Sequence, residues 1–125
     1  MAFIGGFLKS LRYAFTGLVY VLKSERNARI HLLMALLALA LGLILGVSNA
    51  ELAAIFFAII IVFLAEITNT ALEKTLDIVD AKQRHEIRII KDMAAGAVLV
   101  AAVGAVIIGS AIFWPYILEF LWQRQ

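Results

Sequence analysis

The chain has no cysteine, one proline and little charge: 16% of its 125 residues are Asp, Glu, Lys or Arg. Without cysteine there is no disulfide framework, no thiol nucleophile and no cysteine-ligated zinc. The single proline, and the lack of any Ser/Gly-rich linker, leave no boundary for a second domain, so residues 1–125 form one unit. The shortage of charge excludes more. A soluble domain of this size must cover its core with polar surface, yet 64% of these residues are hydrophobic and the mean hydropathy is +0.99. The outside must face lipid. The net charge of +2, with no basic stripe interleaved with aromatics, gives nucleic acid nothing to bind.

What is present is a set of apolar runs. Ile30 to Val47 is apolar apart from His31, and at 1.5 Å per residue it spans about 27 Å, enough for a bilayer core. After Ser48-Asn49-Ala50-Glu51, the run from Leu52 to Ala65 is too short to cross alone, so its helix must continue through Glu66 and Asn69, to residue 79 with a water-side extension. A third run, Met93 to Trp114, is closed by Pro115 in an aromatic stretch suited to a membrane interface. The expected architecture is all-α and integral to a membrane, with transmembrane segments 30–47, 52–79 and 93–114. Residues 1–29 form a surface helix and turn: Phe3, Phe7, Leu8, Leu11, Phe15, Leu18 and Leu22 recur at helical spacing opposite Lys9, Arg12, Thr16 and Lys23. Five basic residues precede the first run and five more, Lys74, Lys82, Arg84, Arg88 and Lys91, lie between the second and third, leaving only Arg124 on the far side. By the positive-inside rule the N-terminus is cytoplasmic and the C-terminus outside; no cleavable signal peptide is visible.

The second run carries polar residues where lipid forbids them. Glu66, Asn69, Thr70, Glu73 and Asp77 fall within a sector of roughly 100° on a helix. Intramembrane carboxylates face a bundle interior or cavity and are functional by default; the plainer reading is interhelical hydrogen bonding, for which one polar residue would suffice. Stacked carboxylates repel unless a cation intervenes, and oxygen donors without Cys or a His pair favour Mg²⁺ over zinc. Glu25, Arg29 and His31 at the mouth of the first run, and Lys91-Asp92 at the mouth of the third, lie on the same side as Glu73. Read singly, Lys91 and Arg29 are equally well snorkelling anchors. Together, acidic metal ligands and fixed cations at a water–membrane boundary are the parts that hold a polyphosphate. The chain has neither G-x-x-x-x-G-K-[ST] nor G-x-G-x-x-G, so any ATP site must be built from side chains on helices. Two other classes use the same features: an ion or proton carrier with the stripe as a relay, and a non-catalytic assembly subunit packing through Gly42-x-x-x-Gly46 and the stripe Ala97, Ala101, Ala105, Gly109.

Glu66-Ile-Thr-Asn69-Thr-Ala-Leu-Glu73-Lys-Thr-Leu-Asp77, followed fourteen residues after Asp77 by Lys91-Asp92-Met-Ala-Ala-Gly-Ala-Val, resembles the signature of the prokaryotic diacylglycerol kinase and undecaprenol kinase family. The resemblance covers nearly the whole chain, including Glu25-Arg-Asn-Ala-Arg29-Ile-His31. It implies a homotrimer in the bacterial plasma membrane, with three transmembrane helices and one surface helix per subunit, and active sites shared between neighbours. It also implies transfer of the γ-phosphoryl group of ATP to a lipid hydroxyl. By position, Glu66 resembles the general base, Asn69 its positioning neighbour, Glu25 and Glu73 the Mg²⁺ ligands and Lys91 the phosphate-binding lysine. Asp92 and Asp77, with Arg12 and Tyr13 of the surface helix and Arg84 and His85 of the loop, complete the implied nucleotide side; Arg29, His31 and Thr70 join Glu66 on the acceptor side. The sequence departs from the pattern at Gly6, where an arginine is usual, and at Arg84, where a histidine is usual and His85 follows instead. His31 resembles the undecaprenol kinase branch more than the diacylglycerol branch.

Overall fold

The computed structural model describes residues 2–79 and 84–122, with side chains from residue 5 onward. Lys82 and Arg124, which contribute to the charge asymmetry, and the side chain of Phe3 lie outside the described residues. Four helices follow in order: α1 (Ala2–Ser24), α2 (Arg26–Leu45), α3 (Asn49–Val79) and α4 (His85–Trp122). The last three are long and apolar enough to cross a membrane. At 1.5 Å per residue they measure about 30, 47 and 57 Å, so α3 and α4 outrun the hydrocarbon layer.

One residue separates α1 from α2. Glu25 is extended (φ −105°, ψ 124°) and precedes Arg26 without a side-chain cap of its own. The end of α1 is tied instead by Arg29, whose guanidinium donates to the carbonyls of Leu22 (3.4 Å) and Lys23 (3.1 Å). A cation on those orphan carbonyls also complements the negative end of the helix dipole. The second helix therefore begins four residues before the apolar run does.

At its other end α2 stops in a Schellman turn. Gly46 is left-handed (φ 66°), its N–H reaches the Leu43 carbonyl, and the Val47 N–H reaches that of Gly42. Only a residue without a Cβ adopts this conformation cheaply. Gly46 is thus a cap, which corrects the reading of Gly42-x-x-x-Gly46 as a helix-contact motif; Gly42 alone packs closely, beneath Val47, Leu52 and Ile55. Ser48 and Glu51 then open α3 as a capping box: the Glu51 N–H donates to Ser48 Oγ (3.3 Å), and Glu51 Oε2 accepts from the Ser48 N–H (2.8 Å) and Oγ (2.7 Å).

The expected close at Pro115 also gives way: α4 passes through it to Trp122. Proline there deletes a single backbone bond, a loss that transmembrane helices absorb when neighbours hold the segment in place. The next residue, Tyr116, donates to Glu51 Oε2 at 2.7 Å and ties α4 to the start of α3. At the opposite end Lys91 of α4 bonds Asp77 of α3, so this antiparallel pair is fastened at both ends. Small residues sit where the helices meet, with Ala28, Ala35 and Ala58 buried. Leu33, Ile44, Phe57, Leu64, Leu99 and Val100 point outward, as an apolar surround requires.

Candidate functional site

α3 packs along α4 and against α2, whereas α2 and α4 barely meet. The gap between them is an apolar groove of about 390 Å³, walled by Met34 and Ala38 of α2, Ile55 and Val62 of α3, and Ala105 and Phe113 of α4. His31 and Ser110 are the polar residues in its lining. The groove shares Ile30, His31 and Ala102 with a second cavity of about 270 Å³, which adds Asn27, Glu66 and Asn69. An apolar channel thus leads to a carboxylate.

Glu66 is 3% exposed, and the titratable groups that act on it are His31, Glu25 and Glu73. Beyond it along the inward face of α3 come Val62, Ala58 and Ile55, all buried and apolar, so the stripe ends at Glu66 and does not cross the membrane. That stop weighs against a relay.

Asn69 and Thr70 carry the most informative geometry. Asn69 Nδ2 donates to Glu73 Oε1 at 3.0 Å, which turns the Asn69 carbonyl oxygen the other way, where it is buried and meets no donor. Thr70 is 2% exposed and its hydroxyl has no partner. Its neighbours Thr68 and Thr75 both donate to the carbonyl four residues back, at 2.7 and 2.8 Å, the default for threonine within a helix. Buried polar atoms are nearly always paired, so two adjacent exceptions beside a buried carboxylate are atoms kept ready for something else.

The resemblance assigns a Mg²⁺ site to Glu25 and Glu73, and the donor set can be tested against that. No group of three or more His, Asp or Glu side chains converges among the described residues. Magnesium does not need one: it keeps waters and takes one or two carboxylates together with phosphate oxygens. Glu25 and Glu73 are half-buried carboxylates, the first with Lys74 at 3.8 Å as a competing charge and the second accepting from Asn69.

The other expected site residues are spread along the same end. Lys91 is paired with Asp77, and Asp92 beside it is exposed. Arg84 immediately precedes α4, its carbonyl accepting from the Arg88 N–H at 3.2 Å, and His85 is exposed at the helix start. Arg12 and Tyr13 are exposed on α1, which does not pack against α4, so one chain does not bring them together with Lys91. Arg29 is engaged with the α1 carbonyls. Sequence reasoning missed Asn27 in the polar cavity, and it passed over the Ser48–Glu51 capping box, although S-x-x-E before an apolar run is a readable signal.

The sequence profile of the prokaryotic diacylglycerol kinase family matches residues 12–113. The chain belongs to that family. Among its relatives in this lipid kinase family is the diacylglycerol kinase of Synechocystis sp. (strain ATCC 27184 / PCC 6803 / Kazusa), 36% identical over 115 residues, which cover 91% of this chain and 66% of that protein. Another is the undecaprenol kinase of Bacillus subtilis (strain 168), 38% identical over 109 residues, covering 87% and 89%. The chain therefore spans about two thirds of the first relative's length and most of the second's. The two names differ in the acceptor lipid.

Proposed function

We propose that the protein phosphorylates the hydroxyl of a membrane lipid with ATP at the cytoplasmic interface, with undecaprenol as the favoured acceptor and diacylglycerol the next. The observation that carries this reading is the continuity of the apolar groove with the Glu66 cavity through Ile30, His31 and Ala102. A lipid tail lying in the groove brings its terminal hydroxyl to Glu66, while the charged end around Asp77 and Lys91 lies farther along α3 and α4. The hydroxyl oxygen bonds to the γ-phosphorus as the bond to the β–γ bridging oxygen breaks. ADP leaves with that electron pair, and the hydroxyl proton passes to Glu66. Asn69, held by Glu73, keeps its carbonyl oxygen beside the reacting centre, and Lys91 neutralises phosphate charge. Glu25 and Glu73 are the residues that would hold Mg²⁺, which would supply neutralisation of phosphate charge there.

Undecaprenol is placed first because the groove is almost wholly apolar, and because His31 matches the undecaprenol branch. Such a groove grips by area, at about 25 cal/mol per Å², and is indifferent to the chemistry of a tail, so diacylglycerol is accepted too. The chain works as a homotrimer in the bacterial plasma membrane with its N-terminus in the cytoplasm. In that assembly a neighbour's α1 supplies Arg12 and Tyr13, which one chain keeps apart from α4. Purified protein with labelled ATP and a panel of lipid alcohols in mixed micelles tests the reading. Lipid-dependent phosphate transfer with undecaprenol fastest is expected; rapid diacylglycerol phosphorylation with refusal of undecaprenol reverses the acceptor, and inertness toward both defeats the kinase.

A further inference from the structure

Just beyond the end of the groove farthest from Glu66 lies a polar clasp between α3 and α4. Ile55 and Phe113 line that end, and each lies one helical turn inside a partner in the Glu51–Tyr116 hydrogen bond. Glu51 is not free to move, since its Oε2 also takes two bonds from Ser48. Tyr116 follows Pro115, where α4 lacks one rung of its ladder and bends most readily. The bond therefore holds α4 to α3 one helical turn beyond the groove's Ile55 and Phe113.

From this geometry we infer that the Ser48–Glu51–Tyr116 clasp fixes the length of acceptor tail that the groove measures. Tyr116 is thereby a specificity-determining positioning residue about 22 Å along α3 from the chemistry, counted from Glu66 to Glu51. The inference rests on the proposed lipid acceptor. Affinity for a homologous series of lipid alcohols rises with each carbon that enters the groove and levels off when the tail reaches Phe113. Removing the clasp lets α4 swing at Pro115, and the level moves.

The test compares wild type with Tyr116→Phe, which deletes one hydroxyl and keeps the ring. KM for long-tailed acceptors is expected to rise about three- to tenfold, the scale of one lost hydrogen bond, with KM for ATP unchanged and the break in the chain-length profile displaced. Glu51→Gln and the double variant complete a cycle whose effects on lipid KM are non-additive if both act through the one bond. A lower melting temperature in Tyr116→Phe with the same chain-length profile would make the clasp merely structural and overturn the inference. A photolabel separates this failure from failure of the kinase reading. A long-chain alcohol carrying a diazirine at its tail end should mark segments 55–58 and 106–113 in wild type and scatter in Tyr116→Phe, whether or not phosphate is transferred. Wild-type labelling elsewhere shows a groove filled by something other than a tail, such as a helix of a second copy, and sinks the proposal.

Discussion

The two ends of the α3–α4 pair treat their polar groups in opposite ways. At the Glu51 end a saturated oxygen, Oε2, accepts from Ser48 twice and from Tyr116 once, and the Glu51 N–H is capped. At the other end Asn69 Oδ1 and Thr70 Oγ1 are buried without partners, and Glu66 is 3% exposed. A saturated network lowers the energy of one structure, whereas an unsaturated one holds back interactions for a ligand. The difference separates an end that fastens helices from the end proposed to do the chemistry, although both are built around a glutamate on the same helix.

Substitutions can break that contrast. The largest effect falls at Glu66: Glu66→Gln keeps the shape, and turnover drops about 10²-fold or more, the scale of a lost general base. Near-normal turnover would return Glu66 to a packing role. Thr70→Val comes next. Because the hydroxyl has no partner, its removal leaves the melting temperature unchanged or higher while activity falls about tenfold. A clear loss of stability with full activity would mean that the hydroxyl serves the fold. Glu25→Ala and Glu73→Ala each raise the Mg²⁺ midpoint several-fold, and the double variant falls short of the product of the two if they share one ion. Titrating activity against Mg²⁺ reads this directly, and an unmoved midpoint puts the metal elsewhere. The smallest effect is at the saturated end: Ser48→Ala removes the cap and costs about 1 kcal/mol in a thermal scan, with the Mg²⁺ midpoint unaffected.

The long helices were legible in the sequence because periodicity and hydropathy carry them, and the acidic stripe because intramembrane carboxylates are rare. The ends of the helices were less so. Arg29 starts α2 early by satisfying the last carbonyls of α1, and nothing in local composition says where a guanidinium will reach. Pro115 marks a break in most helices, yet here a tyrosine one step later bonds a residue 65 positions away. Gly46 shows the limit of a two-glycine pattern: the same spacing serves a close contact or a cap, and only the backbone dihedral distinguishes them. The site was legible in its residue types, but the two unmet polar atoms were not. Thr68, Thr70 and Thr75 look alike in one dimension and differ only in what their hydroxyls find.

The single extended residue between α1 and α2 has a mechanical consequence. Two soft dihedrals, the φ and ψ of Glu25, set most of the angle between these helices, and the Arg29 cap clamps the α1 side of that elbow. Phe7, Leu8, Leu11 and Phe15 are exposed along α1, a helix whose tilt follows whatever apolar surface they rest on. Any rocking of α1 must turn the backbone at Glu25 and re-aim its carboxylate, while Glu73, inside the unbroken helix α3, stays still. Any force along α1 thereby becomes a torque on the Glu25 carboxylate, and the lever that delivers it is 23 residues long.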